Sequence, residues 1–317
     1  MIRLDAFHVL TVSMLLPCLS TSCCGSQEAV LLTTDFESDP LASGWIFDGD
    51  NAKATWVDQG RNGGKCISLA EGFWESAPIP VTPYQYYKVT FHSKAEGRGY
   101  WAAINYDADG KALDADHHWG VDPSEDWLET TYCTRAKADA ASIRFRFQPR
   151  EEKRLTVDDV KVETVSREDV AKWADEVYAT IPPVNIQPPE NRWQFLPRTM
   201  QKLREGGTIR VVMLGDSIMN DTGNSPFDVL LERLYPRAHI EVITSVRGGT
   251  GTSYYKGENL VKQYVLDYNP DFLIIGGISN GRAEATRSVI QQVRAVIDPE
   301  IMVTTGAVCT GMDPHHK

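Results

Sequence analysis

The sequence predicts a multi-domain chain: an antiparallel β-sandwich of jelly-roll type, followed by an α/β domain in three layers around a parallel sheet. Three observations predict it. At 317 residues the chain is long enough for two cores. Up to about residue 165, short runs of alternating apolar and polar residues are separated by Gly, Asn and Asp clusters, as in antiparallel sandwiches. From about residue 206, aliphatic runs alternate with helical patterns, as in parallel sheets with crossover helices.

Composition narrows the function. A hydrophobic content of 42% and a charged content of 24% belong to a globular protein. The net charge of −11 repels phosphate backbones, so nucleic acid is not an expected partner. No apolar run reaches ~18 residues, so no membrane-spanning helix is expected.

Residues 1–24 read as an export leader. Ala6 to Leu19 is moderately apolar, Arg3 precedes it, and the small residues of Ser20-Thr-Ser-Cys-Cys-Gly25 follow. Cys23 or Cys24 could carry a lipid that anchors the chain to a membrane. Asp5 and His8 weaken the leader, and neither cysteine has a leucine three residues before it. The expected location is secreted, periplasmic or lipid-anchored at the cell surface. Cys66 and Cys133 lie in apparent strands, where they either pair or stay as buried thiols.

Residues 28–165 form the sandwich. Strands are expected at Lys65–Leu69, Tyr86–Phe91, Tyr100–Asn105, Ala141–Phe147 and Leu155–Val162. Ile143, Phe145 and Phe147 alternate with Arg144 and Arg146, which predicts one buried and one wet face. Trp101, in a strand, is expected in the core. Trp119, after His117 and His118 in a polar loop, is the candidate for an exposed ring on which a sugar could stack.

Through Asp35-Phe-Glu37, Gly44-Trp45 and Val157-Asp-Asp-Val160, this segment resembles the jelly-roll carbohydrate-binding modules attached to polysaccharide-active enzymes. The resemblance implies a carbohydrate partner. It also implies a structural calcium, for which Asp35, Glu37 and Asp158 or Asp159 could supply oxygen ligands. The alternative is that these acids are solvated turn and edge residues.

Residues 166–205 read as a helical and Pro-rich linker. Ser166-Arg-Glu-Asp169 starts a helix in capping-box fashion, with Val170, Trp173, Ala174, Val177 and Tyr178 on one face. Pro182-Pro183 ends it, and Val184 to Pro189 is an extended spacer. Trp193 to Leu203 is expected to pack on the second domain.

Residues 206–317 form the α/β domain. Ile209 to Leu214 is aliphatic apart from Arg210, a strand buried on both faces. It ends in Gly215-Asp216-Ser217, a tight turn at the edge where open α/β sheets place ligands. Helices are expected around Phe227–Leu234, Leu260–Tyr268 and Arg282–Ile297, and strands at His239–Thr244, Asp271–Gly276 and Ile301–Thr305. Two further loops leave the same edge, Val246–Ser253 and Gly276–Gly281.

With Gly215-Asp216-Ser217, the domain resembles the SGNH hydrolases, also called the GDSL esterases. The resemblance implies that Ser217 is the nucleophile of an ester hydrolase. It implies an oxyanion hole from the Ser217 and Gly251 N–H groups and the Asn280 amide. The family has Gly-x-Asn-Asp where this chain has Gly277-Ile-Ser-Asn280, so Ser279 competes with Asn280 for that position. The family takes its base from Asp-x-x-His. Asp313-Pro-His-His316 has the spelling but follows the fourth strand at once. The expectation is therefore an incomplete domain whose base lies beyond Lys317.

The function so implied is hydrolysis of acyl esters, foremost acetyl esters on carbohydrate, with no metal or organic cofactor required. Two alternatives stand beside it. One is a non-catalytic glycan-binding surface protein with a degenerate hydrolase domain. The other is a lipase or thioesterase.

Overall fold

The structure is a computed structural model that describes residues 29–49, 54–113, 117–150, 152–183, 187, 189–280 and 283–304. The predicted leader, the Asp313/His316 pair and most of the Val184–Pro189 spacer lie outside the described residues.

The first domain runs β1 (Val30–Thr34), β2 (Ile46–Asp48), β3 (Ala54–Val57), β4 (Cys66–Leu69), β5 (Phe73–Glu75), β6 (Ile79–Pro80), β7 (Tyr86–Ala95), β8 (Gly99–Tyr106), β9 (His117–Val121), β10 (Ser124–Arg135), β11 (Ser142–Pro149) and β12 (Leu155–Thr164). They pair antiparallel into two six-stranded sheets. One has the order β10-β7-β12-β4-β3, with β1 on β12; the other has the order β2-β5-β11-β8-β9, with β6 on β11. An antiparallel sandwich is thus the architecture of this half. Alternation places Ile143, Phe145 and Phe147 in the core, each with no exposed surface. The rings of Phe91 and Phe147 meet edge-on at 5.0 Å, and Trp101 joins Phe91 at 5.5 Å.

All five expected strands form. The expectation missed β10, because this edge strand presents mostly polar, solvent-facing residues and carries little periodicity. His117, His118 and Trp119 lie in β9, not in a loop. Neighbouring β8 supplies the ladder partners that a local reading could not see, Trp119 opposite Trp101 and His118 opposite Ala102.

The second domain comprises α1 (Arg167–Ala179), α2 (Pro197–Glu205), β13 (Gly207–Gly215), α3 (Ser217–Asn224), α4 (Phe227–Leu234), β14 (Ala238–Val246), α5 (Thr252–Tyr255), α6 (Leu260–Tyr264), β15 (Phe272–Ile275), α7 (Ala283–Arg294) and β16 (Glu300–Val303). The four strands are parallel in the order β14-β13-β15-β16. Central β13 is apolar on both faces. Ile209, Val211 and Met213 pack with α2, α3 and α4 on one side. Val212 and Leu214 pack with α5, α6 and α7 on the other. The chain leaves β13 toward β14, then crosses back to β15, so the order reverses between β13 and β15.

Helix α1 starts where expected, with Ser166 as N-cap accepting from the Asp169 N–H at 3.1 Å. It is not a spacer. Val170 and Ala171 close a small core with Tyr86, Cys133 and Val165 of the sandwich and Val229 of α4. Trp173 meets Tyr132 edge-on at 4.8 Å. In α2, Met200 and Leu203 are buried as expected, whereas Trp193 and Phe195 before it stay exposed. Among the described residues no helix is long and apolar enough to cross a membrane.

Candidate functional site

Three loops meet at the carboxyl edge of the parallel sheet. Ser217 follows β13 and opens α3, and its side chain is exposed. Asp216 is the N-cap, buried to 1% exposure, and its Oδ1 accepts from the Ile218 N–H at 3.0 Å. Its Oδ2 accepts from the Ser279 N–H at 2.7 Å. One carboxylate therefore caps the helix behind Ser217 and fastens the loop after β15 to it. Gly277 makes this possible: its φ is +102°, and a Cβ there would strike the Asp216 carboxylate.

Gly251 is the N-cap of α5 and also has no room for a side chain, because a Cβ would run into the Ser279 carbonyl. The Ser217 and Gly251 N–H groups take no acceptor among the described residues. Asn280 differs. Its Oδ1 accepts from the Thr252 N–H at 2.8 Å, and its Nδ2 donates to the Gly276 carbonyl. The Asn280 amide thus latches two loops together: its oxygen and one of its two N–H groups are engaged by backbone. Ser279 commits its backbone N–H to Asp216.

Sequence reading missed Tyr255. Its hydroxyl donates to the Gly215 carbonyl at 2.6 Å and accepts from the Arg247 N–H at 2.8 Å. Burial raises its pKa, so the phenol stays a donor. No short motif marks a tyrosine that acts through its hydroxyl on backbone far from it in sequence.

Chemically, this edge offers an exposed hydroxyl at the N-terminus of α3, which favours negative charge, and the Ser217 and Gly251 N–H groups without an acceptor among the described residues. It lies outside β13 and β15, where the strand order reverses, the crevice that open α/β sheets use for ligands.

A second polar constellation sits on the outer face of the β11 sheet. Glu75, 2% exposed in its side chain, bonds Arg146 Nη2 at 2.7 Å and Arg144 Nη1 at 3.4 Å. The Tyr106 hydroxyl donates to it at 3.2 Å. Arg146 lies 3.8 Å over the Phe73 ring and Arg144 5.3 Å over Tyr106. The wet face of β11 was legible; its partner Glu75 was not.

The acids expected to hold calcium hold backbone. Asp158 accepts from the Arg61 and Asp159 N–H groups at 2.7 and 2.8 Å. Glu37 accepts from the Lys65 N–H at 2.8 Å, and Asp35 from Glu37 at 3.1 Å. Asp159 pairs with Arg61 at 2.9 Å. Among the described residues, no group of three or more His, Cys, Asp or Glu is gathered to hold a metal ion. As placed, these oxygens fit the clasping of the loop between β3 and β4. Cys66 and Cys133 are free buried thiols. Trp101 is in the core at 1% exposure, Trp56 is partly exposed with Lys65 Nζ 4.3 Å over its ring, and the side chain of Trp119 lies outside the description.

The strand pairing makes the first domain an antiparallel β-sandwich of two six-stranded sheets. Among solved structures, it is similar to the CBM22-1 xylan-binding domain from Paenibacillus barcinonensis, at 12% identity and a TM-score of 0.35, covering 44% of this chain and 96% of that one. It is also similar to the K3 cleaved adhesin domain of Lys-gingipain from Porphyromonas gingivalis, at 18% identity and a TM-score of 0.32, covering 43% and 99%. A third is TmCBM61 in complex with β-1,4-galactotriose, at 17% identity and a TM-score of 0.29, covering 38% and 88%. The sandwich assignment rests on the strand pairing and not on these overlaps. No protein-family model and no curated protein matches the chain. The SGNH assignment of residues 206–317 draws no support from these comparisons.

Proposed function

We propose that this chain is a glycan-directed ester hydrolase, whose sandwich holds carbohydrate and whose SGNH-like sheet edge cleaves an acyl ester on it through Ser217. The observation that carries the hydrolytic half is the exposed Ser217 at the start of α3, on the sheet edge where the Ser217 and Gly251 N–H groups take no acceptor among the described residues. Attack by Ser217 Oγ on an ester carbonyl would place the developing oxyanion against those donors. The hydroxyl still needs a base, and Asp313 and His316 lie outside the described residues. The leader residues support an exported location. The test is hydrolysis of p-nitrophenyl acetate and of acetylated xylan by the full chain beside Ser217→Ala. A rate that vanishes in the variant supports the reading, and equal rates sink it.

A second reading, glycan binding without catalysis, is favoured by one observation. The Asn280 amide, expected to donate to the oxyanion, is engaged by Thr252 and Gly276. Binding would then rest on the sandwich, where Tyr106, Phe73 and the Arg144–Glu75–Arg146 cluster join polar groups to aromatic faces. Affinity electrophoresis in xylan and in β-1,4-galactan, with Tyr106→Ala and Arg144→Ala as controls, reads this half by itself.

A further inference from the structure

A cleft of about 180 Å³ separates the sandwich from the parallel sheet. At ~30 Å³ per water molecule it has room for roughly six, the scale of one small ring and not of a chain. Lys111, Leu113 and Asp139 line it from the sandwich; Ser245, Gln263 and Tyr264 line it from the other side.

Its walls are pinned by bonds that cross the domain boundary. Lys137 Nζ donates to Asn220 Oδ1 at 3.0 Å and to Asn224 Oδ1 at 2.9 Å. The Tyr268 hydroxyl donates to Asp139 Oδ2 at 2.9 Å. The cleft is therefore shaped before any ligand arrives, which lowers the ordering cost of binding. Ser245 lines the cleft at 5% exposure, and its hydroxyl takes no hydrogen-bond partner among the described residues, so it is open to the cleft. A hydroxyl open to the cleft can both donate to and accept from a ligand's hydroxyl.

The lining selects the ligand's chemistry. Lys111 and Lys137 are matched by Asp107 and Asp139, so the site carries no net charge and attracts neither an anion nor a cation. Leu113, Ile243 and Val246 add apolar surface beside the polar groups. Hydroxyls on an otherwise C–H-rich ring meet both demands. We propose that this cleft binds one neutral sugar residue, clasped between the two domains. Ser245 and Val246 stand opposite Leu214 and Gly215 in the sheet, so the sugar would lie one strand from the Ser217 turn.

The proposal does not require hydrolysis, and its test reads binding alone. Free xylose, galactose, glucose and N-acetylglucosamine are titrated at millimolar concentration into the full chain and followed by saturation-transfer NMR and calorimetry. At least one is expected to bind. Ser245→Val, which removes the hydroxyl, and Gln263→Trp, which fills the exposed rim, are each expected to weaken it by about tenfold or more. Should Ser245→Val fail to fold, Gln263→Trp decides. The proposal is overturned if none of the four sugars binds. It is also overturned if both cleft variants bind normally while Arg144→Ala does not, which would place the sugar on the outer face of the sandwich.

Discussion

Arg135 Nη1 lies 2.8 Å from Asp228 Oδ1 with both side chains sealed from water, at 5% and 0% exposure. The pair joins the last residue of β10 to the first turn of α4, and so one domain to the other. Tyr86 completes it: its hydroxyl accepts from Arg135 at 3.0 Å and donates to Asp228 at 2.6 Å. Arg167, at the start of α1, takes the second carboxylate oxygen at 2.7 Å and Glu232 at 2.5 Å. The Gly223 carbonyl accepts from Arg135 as well. Arg135 finds its counter-ion only because the two domains meet.

Breaking the group from one side is therefore costly. Asp228→Ala leaves the Arg135 guanidinium buried without its counter-ion, and a loss of about 3–5 kcal/mol is expected in urea unfolding. Replacing both partners, as Arg135→Met with Asp228→Leu, is expected to recover most of that loss. A loss below ~1 kcal/mol in Asp228→Ala would show that the pair is solvated.

The same carboxylate sets an acid limit. Burial works against its charge, but Arg135 and then Arg167 outweigh burial and hold its pKa below the usual aspartate range. Its contribution is therefore fully present above the unfolded value of ~3.9 and is lost as pH falls through the lower folded value. Melting temperature is expected to drop steeply below about pH 4. In Asp228→Asn that drop flattens. Melts across pH 3–7 on both proteins measure it.

Ser217 is exposed, so Ser217→Ala is expected to remove ester hydrolysis and leave the melting temperature unchanged. Asn280→Ala is expected to behave differently. It strips partners from the Thr252 N–H and the Gly276 carbonyl, at a cost of about 1–3 kcal/mol. A fall of 10²–10³ in kcat with no change in stability would instead assign the amide to the oxyanion.

Tyr255→Phe keeps the buried ring and removes the hydroxyl that bridges Gly215 and Arg247. About 1–3 kcal/mol of stability is expected to go, with slower ester turnover because the Ser217 turn loses its brace. Paired urea unfolding and kcat measurements check this.

Burial, and next the charge of Asp158, push the Cys66 thiol up to about 11. At pH 8 it is expected to stay protonated and resist iodoacetamide in the native protein, then alkylate fully in urea. Peptide mass spectrometry reads the site directly.

Periodicity made much of the fold legible. Ile209 to Leu214 reads as doubly buried because adjacent residues are all apolar, and that property is local. Gly215-Asp216-Ser217 is equally local, and its turn stands where the pattern put it. The N-cap at Ser166 is a relation across three residues. What stayed illegible has one shared cause. The partners of helix α1, Val229 and Cys133, were not legible because they are distant in the chain. Trp119 looked like a loop residue because its strand neighbour is β8.

By itself, then, the order of residues determined the two fold types, the buried central strand and the exposed serine at its end. These follow from side-chain alternation and turn chemistry, which act between near neighbours. Only the tertiary structure decided that the Asn280 amide faces backbone, that Glu75 sits between two arginines, and that Tyr86 reaches Asp228 across 142 residues of chain. Hydrogen bonds and ion pairs are short-ranged in space but indifferent to sequence distance, so their partners emerge only when the chain has closed on itself.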